Sequence, residues 1–405
     1  MKIFYESAKN SLETIMGKST KLIQLGKYFH PVSGGMETHL YDLCTHFKDK
    51  FDIEVLVANT ENKTVFEVVD GIKITRLASL GELFSNPICP TFPYHLSRLN
   101  GEPNSIIQIH LPNPMAHISY LMANPVGRLI VMWHSDIVRQ KRLSKLYDRY
   151  LLRLLDRADC IVATSQNYIE SSPYLKKFAD KCIVVPLGIR TQKFEKTPEV
   201  RAKVNQIKQK YGERLILFVG RFTYYKGLEN LLEAAKKIDG TILLIGDGPL
   251  RERIANIIRE NNLENKVFLE HHVCNRELVS FYHACDVFVL PSNQRSEAFG
   301  VVQLEAMFCE KPTVSTDLRT GVPWVNQHGE TGLVVPVNNV QKLTNAINYL
   351  LENKEERRYL GKNAKCRVLE NFTIEIVTKK MAAVYEQVLN GGIKKETFKQ
   401  SNSVG

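Results

Sequence analysis

Two glutamates eight residues apart, Glu297 and Glu305, stand in the stretch Ser296-Glu297-Ala298-Phe299-Gly300-Val301 and onward, where they could hold two ends of one ligand. On a helix that spacing would place the carboxylates on similar faces, roughly 12 Å apart along the axis. Arg221 and Lys226 lie five residues apart in a loop that follows the apolar run Leu215 to Val219. Such a pair suits a diphosphate, because both cations can neutralise charge building on a leaving group. Gly300 opens a helix, and so does Gly34-Gly35, whose bare backbone N–H groups would face an anion. Gly246 and Gly248 bracket a tight turn after Thr241 to Ile245. His134 follows Leu129 to Trp133 directly and would project from the carboxyl end of a strand. Each feature also has a plain structural reading: a dipole-favoured first-turn Glu, a solvated basic loop, turn glycines, a hydrogen-bonded loop histidine.

The elements that must carry these residues are short apolar runs alternating with helical stretches. Leu22 to Leu25, Ile53 to Ala58, Ser105 to Ile109, Leu129 to Val131 and Cys160 to Ala163 read as strands of one parallel sheet. Phe66 to Val69 and Ile72 to Arg76, joined at Asp70-Gly71, read as a hairpin. Leu215 to Val219, Thr241 to Ile245, Val267 to Leu269, Val287 to Leu290, Pro312 to Thr316 and the stretch ending at Pro336 read as a second sheet. In open α/β sheets ligands sit beyond the carboxyl ends of strands, which is where the candidate residues fall. The expected division is an extension of unassigned role over 1–20, a first domain over 21–190, a nucleotide-binding domain over 191–375, and a helix with a flexible tail over 376–405. Gly17-Lys18-Ser19 has the end of a phosphate-loop motif, but Leu12 stands where its first glycine is required.

Composition narrows the classes. A chain of 405 residues, 44% hydrophobic and 24% charged, is ordinary globular material for two cores. No apolar run reaches 18 residues, and the first residues carry an acid with no apolar signal core, so a cytoplasmic protein is expected. The eight cysteines are scattered without a Cys-x-x-Cys pair and are expected as buried free thiols. A net charge of +11 points to an anionic partner. Arg139 to Arg157 reads as a basic amphipathic helix, either packed on its own sheet or docking on anionic membrane. Nucleic acid is not expected, since no binding motif accompanies the charge. No Gly-x-Gly-x-x-Gly follows the first strand, which excludes a nicotinamide dehydrogenase.

Taken together and in order, Gly34-Gly35, His134, Arg221 with Lys226, Gly246-Asp247-Gly248 and the Glu297 to Glu305 stretch resemble the family-4 retaining glycosyltransferases, over roughly residues 21 to 389. The resemblance implies the GT-B fold, an α/β architecture of two doubly wound Rossmann-like domains facing across a cleft. It implies transfer of a hexose from a nucleoside-diphosphate sugar to an acceptor hydroxyl, with retention. Arg221 and Lys226, with backbone amides near Gly35 and Gly300, would stabilise the departing diphosphate; Glu297 and His134 would hold the sugar. Glu305 would accept from the ribose hydroxyls, and Gly34, Gly246, Gly248, Phe299 and Val301 would complete the donor site. Among donors a GDP-hexose, above all GDP-mannose, is favoured over a UDP-sugar. The acceptor is expected to be a lipid-linked cell-surface glycan, met at the inner face of the membrane if the basic helix docks there. No Asp-x-Asp occurs, so neither metal nor cofactor is implied. Family members place Asp directly after the histidine; here Ser135 intervenes and leaves Asp136 without an expected role. A sugar-nucleotide epimerase of the same fold and a non-catalytic nucleotide-sugar-binding subunit are the alternatives.

Overall fold

The computed structural model describes residues 20–32, 34–83, 86–99, 102–136, 144–271 and 273–391, with no side-chain description for 144–146. The extension to residue 19 with its Gly17-Lys18-Ser19, the start of the basic segment at Arg139 and Arg142, and the tail beyond 391 lie outside the described residues.

The strands run β1 (Lys21–Leu25), β2 (Asp52–Ala58), β3 (Val65–Val69), β4 (Ile72–Leu77), β5 (Glu82–Leu83), β6 (Asn86–Pro87), β7 (Ile106–Leu111), β8 (Arg128–Trp133), β9 (Cys160–Ala163), β10 (Cys182–Val184), β11 (Leu215–Val219), β12 (Thr241–Ile245), β13 (Val267–Glu270), β14 (Val287–Leu290), β15 (Thr313–Thr316) and β16 (Gly332–Val335). They form two main sheets, ordered β10-β9-β8-β7-β1-β2-β4-β3 and β13-β12-β11-β14-β15-β16, with β5-β6 as a separate pair. The pairings in the main sheets are parallel except at β3–β4. Every residue of β7, β11 and β14 is buried, which is why β11 and β14 are continuously apolar rather than alternating and why β7 is apolar apart from Gln108 and His110. The β3 edge alternates, and it leaves Phe66 exposed. Asp70 and Gly71 both take positive φ, the geometry of a two-residue hairpin that matches strand twist.

Two compact units result. One comprises 1–164, 172–185 and 378–405, the other 165–171 and 186–377. The chain therefore crosses between the units after residues 164, 171, 185 and 377. Helices fill the connections and start on recognisable signals. Asn113, Thr197 and Asn339 each accept a backbone N–H at a helix start, and Pro114 and Pro198 occupy the first helical positions.

Six cysteines are buried, Cys274 and Cys366 are exposed, and all eight are free thiols. In the helix Ser144–Arg157, Leu151, Leu154 and Leu155 are buried while Arg149, Arg153 and Arg157 face solvent. The apolar side of the basic segment thus packs on its own unit. No described helix is long and apolar enough to cross a membrane.

Candidate active site

In each sheet the strand order reverses once, and ligands of such sheets bind at that switch point, beyond the carboxyl ends of the strands. In the C-terminal unit the switch lies between β11 and β14. The loop after β11 holds Arg221 and Lys226; the loop after β14 holds Glu297 and Gly300. Backbone bonds tie the two loops together, with Asn293 N–H donating to Tyr225 O at 2.8 Å. Tyr224 Oη and Ser296 Oγ lie 3.0 Å apart.

Within these loops Lys226 and Glu297 meet. Lys226 Nζ lies 2.5 Å from Glu297 Oε2, and Ser292 Oγ donates to the same oxygen at 2.9 Å. Both charged side chains are more than nine-tenths buried. Burial alone would lower the lysine pKa, but Glu297 and Tyr225 outweigh it and hold the ammonium above its ordinary range. Arg221 is exposed, and its guanidinium makes no hydrogen bond or ion pair among the described residues. One cation is thus locked into the fold while the other is free to meet an anion.

Glu297 does not sit on a helix. Gly300 takes φ 74° at the N-cap of the helix Val301–Phe308, so the chain turns sharply between the two glutamates. A Cβ at Gly300 would lie 2.6 Å from Leu290 Cδ2, which leaves glycine as the residue that fits. The two carboxylates are therefore not stacked on one helical face. Glu305, on that helix, accepts from Tyr282 Oη at 2.5 Å. Burial pushes the Glu305 pKa up to about 7, against the lowering effect of the Tyr282 hydrogen bond and of Lys193.

Two expected donor contacts carry evident structural work. Phe299 is buried against Trp324 and Phe372, so it can offer only its backbone to a ligand. Gly246 and Gly248 pack on the Gly220 to Phe222 backbone, with Phe222 N–H donating to Asp247 O at 2.8 Å. The turn thereby braces the loop that carries Arg221.

In the N-terminal unit the strand order reverses between β1 and β7. His134, just after β8, has Nε2 3.0 Å from His110 Nδ1. His110 Nε2 lies 2.9 Å from Gln24 Oε1. Gln108 Oε1 accepts from Tyr385 Oη at 2.7 Å, and the Gln108 amide contacts His110 Nε2. His39 packs edge-on to the His134 ring, and both of its ring nitrogens are buried without a partner. Burial lowers the pKa of all three histidines, His39 to about 4. They are neutral at physiological pH.

Asp136 acquires a role. It accepts from Trp133 Nε1 at 3.2 Å and from Ser172 Oγ at 2.7 Å, fixing the loop that holds His134. At the helix Gly35–Phe47 the Glu37 side chain folds back over Gly34, where a Cβ would collide with its carboxylate. A phosphate at this helix start would have to displace that carboxylate. Ser33 of this loop lies outside the described residues.

Gln24, His39, Gln108, His110, Tyr282, Ser292 and Tyr385 had no role in the sequence reading. Only the buried polar positions inside apolar strands, Gln24, Gln108 and His110, carried a signal that could have exposed them. Among the described residues no group of three or more His, Cys, Asp or Glu side chains could hold a metal ion.

Comparisons with known proteins cover both units. A family model described as Glycosyltransferase Family 4 matches residues 33–193, and one described as Glycosyl transferases group 1 matches residues 200–367. The O-antigen chain mannosyltransferase C of Escherichia coli is 32% identical over 363 residues, which is 89% of this chain and 96% of that protein. The D-rhamnosyltransferase WbpZ of Pseudomonas aeruginosa is 34% identical over 268 residues, 66% of this chain and 70% of that protein. Among solved structures, sucrose-phosphate synthase from Thermosynechococcus elongatus superposes with a TM-score of 0.78 at 23% identity, covering 92% of this chain and all of that one. Anabaena HepE in complex with UDP and glucose superposes with a TM-score of 0.72 at 19% identity, covering 91% and 99%.

Proposed function

This chain belongs to glycosyltransferase family 4, with the GT-B fold and a hexosyltransferase activity, and on that premise we propose that it moves mannose or a related hexose from a GDP-sugar, with retention, onto a lipid-linked surface glycan. The observation that carries this reading is the near full-length likeness to an O-antigen chain mannosyltransferase, together with the paired Lys226 and Glu297 at the switch point.

The residues divide the chemistry between them. The bond from the sugar's anomeric carbon to the diphosphate oxygen breaks, and the acceptor oxygen forms the new bond to that carbon. Arg221, unpaired, meets the diphosphate and neutralises its growing charge, with Lys226 behind it. Glu297 Oε2 is saturated by Lys226 and Ser292, so Oε1 is left to accept from a sugar hydroxyl. His134, neutral and held by its contact with His110, takes a second hydroxyl. No side chain is assigned as a covalent nucleophile; the departing phosphate takes the acceptor's proton. Backbone amides around Gly300 add the positive end of the Val301–Phe308 helix. Glu305 faces the ribose, and no metal is needed where two cations and a helix end supply the charge. The enzyme works on the cytoplasmic side, with Arg149 and Arg153 against anionic lipid.

The test is to incubate the protein with GDP-mannose, UDP-glucose or UDP-N-acetylglucosamine and a synthetic diphospholipid-linked oligosaccharide. Product mass and the anomeric coupling in NMR then read the outcome. Transfer of one α-linked hexose from the GDP-sugar, unchanged by chelator, supports the proposal. A β-linked product, or conversion of the donor without acceptor, overturns it in favour of an inverting transferase or an epimerase.

A further inference from the structure

A cavity of about 930 Å³ opens at the other edge of the C-terminal sheet, where the strands begin rather than end. Lys311 stands just before β15, and His283 ends the helix Asn275–Ala284 that leads into β14. The helix Lys354–Asn371 supplies Arg358, Lys362 and Lys365, and the segment after Phe194 supplies Lys196. None of the glutamate, arginine or lysine residues of the candidate active site lines this cavity.

The charge balance is uneven. Five cations face three carboxylates. Glu310 is taken by Lys365 at 2.7 Å and Glu355 by Arg358 at 3.3 Å. Lys196, Lys311 and Lys362 have no ion-pair partner among the described residues. The carboxyl end of the Val301–Phe308 helix offsets only about half a unit charge, so a positive excess remains. Burial, aided by the charges of Lys311, Lys196 and Lys365, presses the His283 pKa down to about 4 against the raising effect of its bond to Phe194 O. Its Nε2 is bonded to Phe194 O at 2.9 Å. Its Nδ1 has no partner among the described residues. Phe194, Phe308 and Tyr359 give the cavity apolar walls, and Tyr359 is 57% exposed. Unpaired lysines converging on one concavity with aromatic walls fit an anion carrying an organic body.

We propose that this cavity is a second, non-catalytic site that binds a soluble sugar phosphate on Lys196, Lys311 and Lys362. The helix Val301–Phe308 starts from Gly300 at the end of the donor loop and ends with Phe308 in the cavity wall, so the two sites share one element.

Calorimetric titration of the full chain with pyrophosphate and with a hexose monophosphate, in GDP or UDP at saturation, tests this independently of which donor is used. One equivalent is expected to bind with the nucleotide still in place. K196Q/K311Q/K362Q, whose side chains lie at the protein surface or its margin, should weaken that binding tenfold or more and leave nucleotide affinity within twofold. The His283 imidazole, followed by NMR, should titrate at higher pH once pyrophosphate is bound. The proposal is overturned if nucleotide displaces the pyrophosphate, if the triple variant binds as tightly as the parent, if the His283 titration does not move, or if only phosphatidylglycerol vesicles bind and the soluble phosphates do not.

Discussion

Lys226 Nζ and Glu297 Oε2 lie 2.5 Å apart with both side chains nearly withdrawn from water, so these two residues act as one unit. Removing one partner of a buried pair leaves the other charge uncompensated, at a cost of roughly 3–5 kcal/mol. Lys226→Ala is therefore expected to lose stability on that scale and about a hundredfold or more in kcat. Lys226→Met combined with Glu297→Gln should recover most of the stability and none of the activity. Urea denaturation beside steady-state kinetics separates the two effects. Full activity in the double variant would refute the assignment of this pair to the reaction.

Arg221 differs because nothing in the fold depends on its guanidinium. Arg221→Ala should leave the urea midpoint unchanged within about 0.5 kcal/mol and still reduce kcat by about two orders of magnitude. Arg221→Lys should restore part of the rate, since a point charge replaces a fork that binds two oxygens. A kcat near the parent value for Arg221→Ala would remove the residue from the diphosphate.

The pH dependence of stability contains two opposing slopes. Glu305 titrates near 7 in the fold against an ordinary 4.5. The folded state therefore holds the extra proton between those values, and this group's contribution falls by about 3 kcal/mol as pH rises from 4.5 to 7. His39, His110 and His134 have depressed values, so the unfolded chain takes up protons first below pH 6.5. Each then removes up to about 1.4 kcal/mol of stability per pH unit on acidification. The histidines outweigh the glutamate, and the parent should lose stability below pH 6.5. Glu305→Gln should make that loss steeper by about one proton's worth. Tyr282→Phe deletes a bond that favours the carboxylate, so the Glu305 midpoint should move above 7. Denaturation midpoints from pH 4.5 to 8 check all three, and parallel curves for parent and Glu305→Gln would contradict the raised carboxyl.

The strands were legible because a parallel sheet buries both faces and writes β11 and β14 as unbroken apolar runs. The glycines and the cations beside them mark the loops that follow. What the sequence did not reveal is pairing across distance. Lys226 and Glu297 come from different loops, and the Gln24–Tyr385 contact spans 361 positions. Periodicity reports which face of an element is buried, not which buried polar group answers which. Glu297 and Glu305 illustrate the limit most plainly. Eight residues of spacing suggested one helical face, yet the positive φ of Gly300 separates them, and only coordinates show on which side of the turn the helix begins.

The basic helix provides the last test, because its two halves of evidence point to different outcomes. Leu151, Leu154 and Leu155 are buried in their own unit and cannot insert into lipid. Arg149 and Arg153, one turn apart, are exposed, and Tyr150 beside them is 41% exposed. Docking would then be electrostatic, worth about 1 kcal/mol per arginine near an anionic surface. Arg149→Gln with Arg153→Gln is expected to weaken partition into phosphatidylglycerol vesicles about thirtyfold, and salt well above physiological should erase the difference by screening. Transfer to a short-chain soluble acceptor should be unaffected, while transfer to acceptor embedded in vesicles should fall with the partition. Vesicle co-sedimentation beside both assays reads this directly. If the double variant partitions as the parent does, the arginines are a solvated face, and the helix does no more than cover its own sheet.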